Sequence, residues 1–327
     1  MEIFQLMLFR AVPPLLLIAA LLSVGVPVHA ASTYAERLGW PAGAKVVIFH
    51  VDDAGMSHSS NAGTIKAIEE GAATSCSIMM PCGWVSEFAR YLKEHPETDA
   101  GLHMTLTSEW KNYRWGPVAG KNQVPGLVDE EGCMWPSVAQ TATHATADEI
   151  ELEMRAQIDR ALTMGIKPTH FDTHMGTVYA TPEFIERYVK LGVEYQVPIM
   201  LPAGHAQYIA EEERTLVDEV RALGERVWAA GLPVLDDLFT GGYGWKDANQ
   251  LERYTQALKN MEPGLLQVII HASDPSDVFP LISSSGPTRK ADMEAMMNPR
   301  LLKTIEEEGI VLTTWRELKE RRDKAGK

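Results

Sequence analysis

The residues that could do chemistry fall into four short stretches. Asp52 and Asp53 stand side by side at the end of the run 46–51, apolar but for His50, and Gly55 follows them. Two carboxylates at a buried strand end repel one another and lose hydration, so a cation or bound protons must compensate them. His103 sits in 101–107, where His103, Thr105 and Thr107 alternate with apolar residues. At a strand's period of two they share a face, and an imidazole there is an available metal ligand. His170, Asp172 and His174 have the same spacing in 168–174; no ordinary apolar core tolerates that, so they predict a polar cavity. The run 265–270, apolar but for Gln267, ends in His271, Ser273 and Asp274 and repeats the logic of the first stretch.

Each stretch also has a plain structural reading. Asp52 or Asp53 could cap the next helix, although Ser57, Ser59 and Ser60 are better placed for that. A strand histidine is commonly a hydrogen-bonded core residue, and 170–174 could be a buried network that binds nothing. The ionisable groups recur, however, at the carboxyl ends of predicted strands, where α/β proteins keep their active sites.

The elements that must position these groups are legible as alternating signals. Strands are expected at 46–51, 74–80, 101–107, 169–174, 197–201, 233–238, 265–271 and 309–313, with helical spacing at 61–70, 85–94 and 150–164. Thr146 with Glu149 forms a capping box, and Thr314 with Glu317 caps the closing helix. Strands buried on both faces and alternating with helices point to a single-domain (β/α) barrel, with a doubly wound open sheet as the other architecture. The stretch 108–145 has little periodicity and carries Trp110, Tyr113, Trp115 and Trp135. A loop of that length is usually functional; its rings either stack on sugars or pack the loop down.

Residues 1–30 read as a secretory signal peptide, with Arg10 before an apolar run and Val28-His29-Ala30 at the cleavage position. An uncleaved anchor is the competing reading. The expected mature domain, 31–327, is then exported, periplasmic or extracellular, with no membrane partner after cleavage. The chain has a formal net charge of −14 and a pI near 5.2, which argues against nucleic acid as a partner because nothing basic offsets the phosphates. Cys76, Cys82 and Cys133 are too few for a disulfide framework or a cysteine zinc cluster, and one disulfide with one free thiol is the most they allow.

Taken together, the motifs resemble the YdjC-type carbohydrate deacetylases, the group that contains chitooligosaccharide deacetylase. The resemblance lies in Val51-Asp52-Asp53-Ala54-Gly55-Met56-Ser57 with Asn61 and the segment 71–80, then 101–107, then Thr169-His170-Phe171-Asp172-Thr173-His174, then Ile270-His271, in order. It implies a distorted (β/α) barrel of about seven to eight parallel strands. It further implies a divalent metal, zinc or magnesium, on Asp53, His103 and His174, with Asp52 as general base and His271 as general acid. The substrate implied is an acetylated amino sugar or oligosaccharide. This chain departs from the family pattern at His50, Ala54, Ala272-Ser273, Gly176 and Val178, around the site rather than on its proposed ligands.

Two imidazoles and one carboxylate would leave a divalent ion open positions for water and substrate, which suits hydrolysis of an acetamide. The rivals are a metallohydrolase acting on another amide or ester, a sugar-binding protein without turnover, and a glycosidase-type barrel. The last would need two opposed carboxylates, which the histidine-rich faces do not resemble. A homo-oligomer is compatible with all of these.

Overall fold

Strand β1, Lys45–Ala54, is buried along nearly all its length, and its two faces meet different partners. Val47, Phe49 and Val51 belong to the large core packed between the sheet and the surrounding helices. Val46 and Ile48 belong instead to a smaller cluster with Met200, Leu235, Leu265 and Trp315. Further along that second face come His50 and Asp52. One face of β1 is therefore apolar from Val47 to Val51, and the other changes from apolar to polar toward the carboxyl end.

The computed structural model describes residues 32–208, 217–244 and 249–326; the leader expected over 1–30 lies outside them. The strands are all parallel, in the order β4-β3-β2-β1-β6-β5 with β7 beside β1. They comprise β2 Ser75–Ile78, β3 Ala100–Met104, β4 Phe171–Thr173, β5 Asp237–Phe239, β6 Gly264–Ile270 and β7 Val311–Leu312. β7 pairs with Val46 and Val47 at the start of β1, and β2 takes over from His50 onward.

Two isolated parallel bridges, Phe171 to Ile199 and Pro202 to Leu235, carry the pairing from β4 round to the residues before β5. The sheet thus curls into the expected distorted barrel, and its concave side holds the second face of β1. The strand expected at 197–201 exists only as these bridges, because Pro198 and Pro202 remove donors from a longer ladder. The one expected at 233–238 is confined to Asp237–Phe239 at its end.

Helices occupy the places their signals indicate. Ser57 caps the helix His58–Glu69 through Ser60 N, so Asp52 and Asp53 are released from that task. The helix Ala147–Thr163 carries the complete capping box of Thr146 and Glu149, and Thr314 caps Trp315–Ala325 through Glu317 N. Cys76, Cys82 and Cys133 are free thiols, so the disulfide that the sequence allowed is not formed. Among the described residues no helix is long and apolar enough to cross a membrane.

Candidate active site

Successive residues of a regular strand point to opposite faces, so Asp52 and Asp53 should diverge. They do not, because β1 bulges where they stand. Its register against β2 advances from Val51 opposite Cys76 to Ala54 opposite Ile78, three steps against two. A bulge of this kind re-aims the inserted side chain. Asp53 completes the turn with φ at 67°, a left-handed conformation unusual for a residue with a Cβ. Both carboxylates then face His103: Nε2 is 3.7 Å from Asp52 Oδ2 and 3.5 Å from Asp53 Oδ1.

β4 supplies the other ligating candidate, but not by a continuous strand. The extended segment ends at Thr173, and His174 opens a kinked turn in which Met175 and Gly176 have φ of 53° and 65°. His170, Asp172 and His174 still face the polar interior, at different heights. His170 lies lowest, stacked on Trp315 and edge-on to His50. Asp172 Oδ2 lies 2.9 Å from His50 Nε2, and His174 Nδ1 reaches 3.4 Å from Asp53 Oδ1. From β6, His271 Nε2 stands 3.7 Å from Asp52 Oδ2. The five residues picked out by sequence, Asp52, Asp53, His103, His174 and His271, are therefore neighbours in space.

Burial makes the electrostatics severe. The Asp52 carboxyl is held well above its ordinary range by burial and by the charges of Asp172 and Asp53. Asp53 goes the other way: burial opposes its charge, but Arg289, 2.6 Å from Oδ2, and His174 hold it well below. Burial lowers His103 to about 4 against the pull of Asp172 and Asp53. For His174 burial is outweighed by Glu109 and Asp53, and its pKa is pushed up to about 10. His271 is held well below its usual range by burial and by Arg289.

Ligand atoms of Asp53, His103 and His174 lie within 4.8 Å of one another, as do those of Asp52, His103 and Asp172 and those of His50, His170 and Asp172. Asp53 Oδ1 is buried without a hydrogen-bond partner. A carboxylate oxygen left so, facing two imidazoles, is the environment a divalent cation would satisfy, so the residues fit a metal. In the second set a carboxylate replaces an imidazole. The third lies deepest, and in it His50 already pairs with Asp172.

Three neighbours were not anticipated as site residues. Arg289 and Asp292 lie on the buried face of the helix Gly286–Met296, and Asp292 accepts the backbone N–H of His271. Their three-residue spacing beside Met293 and Met296 is the signal that could have shown them. Glu109, in the loop after β3, meets His174 Nε2 at 3.1 Å; only its nearness to Thr107 marks it. Trp110 and Trp115 are buried edge-on to His174, so these rings pack the loop against the site. Trp135 stacks on His144 and donates to Gly126 O.

The fold and site define a parallel (β/α) barrel with its ionisable residues gathered at the carboxyl mouth. The chain belongs to the YdjC-like protein family, whose model matches residues 46–307. A carbohydrate deacetylase from Thermus thermophilus is 30% identical over 87% of this chain and 97% of its own length. A chitooligosaccharide deacetylase from Yersinia enterocolitica is 23% identical over 83% of this chain and 98% of its own. Among solved structures, a proposed cellobiose-phosphate cleavage protein from Enterococcus faecalis superposes with a TM-score of 0.72 at 21% identity, covering 84% of this chain and 99% of that one.

Proposed function

We propose that this chain is a metal-dependent deacetylase of N-acetylated sugars or oligosaccharides, exported through the leader at 1–30. The observation that carries the reading is the bulge that brings Asp52 and Asp53 together onto His103 and His174. Family membership and the carbohydrate deacetylases among the relatives support the substrate class. Asp53, His103 and His174 would hold a divalent ion, zinc fitting this donor set best and magnesium next. Such an ion would supply Lewis acidity to the acetyl carbonyl and acidity to the attacking water.

The remaining steps belong to the chain. Asp52 accepts the proton of the attacking water; the cation's charge would bring its raised pKa down far enough for that role. His271 is the most exposed of the set, at 14% of its side chain, and faces Asp52, so it stands toward the substrate. There its neutral imidazole takes up the proton that Asp52 collected and gives it to the departing amine.

The test is acetate release by the chain without its leader from N-acetylglucosamine oligomers and O-acetylated sugars, with chelator and then with added zinc, magnesium, manganese or cobalt. Release from N-acetyl donors should vanish with chelator and return with metal. Asp52→Asn should keep its metal and lose activity by about 10²–10⁴-fold. Turnover of O-acetyl esters alone would replace the amide by an ester, and metal binding without any turnover would end the deacetylase reading.

A further inference from the structure

The imidazoles in the Asp53–His103–His174 set are backed in different ways. His174 turns Nδ1 toward Asp53 Oδ1 at 3.4 Å and Nε2 toward Glu109 Oε2 at 3.1 Å. His103 turns Nε2 inward, while its Nδ1 is buried without a hydrogen-bond partner and 3.8 Å from Asp172 Oδ2. Glu109 meets His174 on the nitrogen opposite Asp53, so it lies behind the imidazole and outside the donor cluster.

We propose that Glu109 is a positioning residue for the metal centre. It accepts the Nε2 proton of His174, fixes the ring so that Nδ1 is the ligating atom, and thereby sets the affinity of the site. The inference rests on reading Asp53, His103 and His174 as ligands. A ligating imidazole must present a lone pair to the ion, and an acceptor on its other nitrogen selects that tautomer and holds the ring plane.

His174 needs such a hold more than His103 does. His103 sits within β3, paired on both sides, opposite Asp172 on β4 and with its neighbour Leu102 opposite Ile78 on β2. His174 instead begins a kinked turn whose next residues, Met175 and Gly176, are left-handed. Trp110 and Trp115 stand edge-on to its ring and limit where it can lie. The charged hydrogen bond to Glu109 then fixes its direction. The Glu109 side chain keeps 18% exposure, so its removal leaves no closed cavity in the core.

The experiment measures zinc affinity by competition with a chromophoric chelator on the chain without its leader, with thermal melts of the metal-free protein alongside. Glu109→Ala should weaken zinc binding by about 10–100-fold without a matching fall in melting temperature. Glu109→Gln keeps an acceptor carbonyl and should recover most of that loss. In a His174→Ala background, Glu109→Ala should change the residual affinity by no more than about twofold, since both belong to one unit. Binding by Glu109→Ala within about twofold of the unaltered chain, or an equal loss with and without His174, would overturn the proposal while leaving the metal site standing. No zinc binding by the unaltered chain would remove the metal reading and this one together.

Discussion

Asp53 is the residue where the site's requirements and the backbone's preferences conflict. Its φ of 67° carries a penalty for any side chain with a Cβ, and its carboxylate is fully buried against Arg289. Such strain persists only where the surroundings impose it, and the bulge beside β2 imposes it here. Asp53→Gly and Asp53→Ala both remove the carboxylate from Arg289 and from the donor set, so both should lose metal. The glycine variant also relieves the left-handed backbone and should be more stable than the alanine variant by about 1–2 kcal/mol. Urea unfolding without metal measures this; equal stabilities would mean that the backbone relaxes out of the turn. Asp52 and Asp53 were legible in sequence as adjacent carboxylates after an apolar run. Their convergence was not, because regular alternation would have sent them to opposite faces, and a bulge depends on pairing with β2 that no local pattern encodes.

At the scale of elements, the helix Ala147–Thr163 fastens the long loop to the mouth of the barrel. Glu153 accepts the backbone N–H groups of Val118 and Ala119, and Gln157, one turn on, donates to Glu153 and Thr105 O while accepting from Thr105 N. Loop, helix and the end of β3 are thereby linked through one carboxylate. Burial raises Glu153 from 4.5 to about 7, against the hydrogen bonds that favour its charge. The folded state therefore binds a proton more tightly than the unfolded chain. Its contribution is fully present below pH 4.5 and is lost as pH rises through about 7, an effect of order 3 kcal/mol. Glu153→Gln should flatten that part of the stability profile between pH 4.5 and 7, read as the difference in urea midpoint between variant and parent. A parallel profile would show that another group titrates there. The helix and its capping box were readable because capping is local. The strand expected at 197–201 shrinks to isolated bridges because its pairing depends on β4 and on Leu235, distant in sequence, and because two prolines interrupt its donors.

For the whole molecule, the ends of the barrel divide the tasks. The candidate site sits at the carboxyl ends of β1, β3, β4 and β6. At the opposite end Asp236, just before β5, accepts the backbone N–H groups of Tyr34, Ala35 and Leu265. It thus ties the short N-terminal helix Tyr34–Arg37 to the start of β6, and Ala35, Leu38 and Trp40 complete the interior cluster around Trp315. The sequence could name the candidate residues of the carboxyl end because unusual residue types mark them. Asp236 reads as an ordinary acidic residue in a strand signal, and only the fold reveals that it caps a helix about two hundred positions earlier. In barrels of this kind the amino end serves stability and the carboxyl end chemistry, and that separation can be measured. Asp236→Asn, in a chain beginning at Ala31, turns an amide toward N–H groups that need an acceptor, and it should lower unfolding stability by about 1–3 kcal/mol. Zinc affinity and acetate release by the folded fraction should stay within about twofold, because distant sites are close to additive. A parallel fall in metal affinity would mean that the two ends are coupled through the polar interior formed by His50, Asp172 and His170, and that the barrel acts as one unit from its amino-end tie to its mouth.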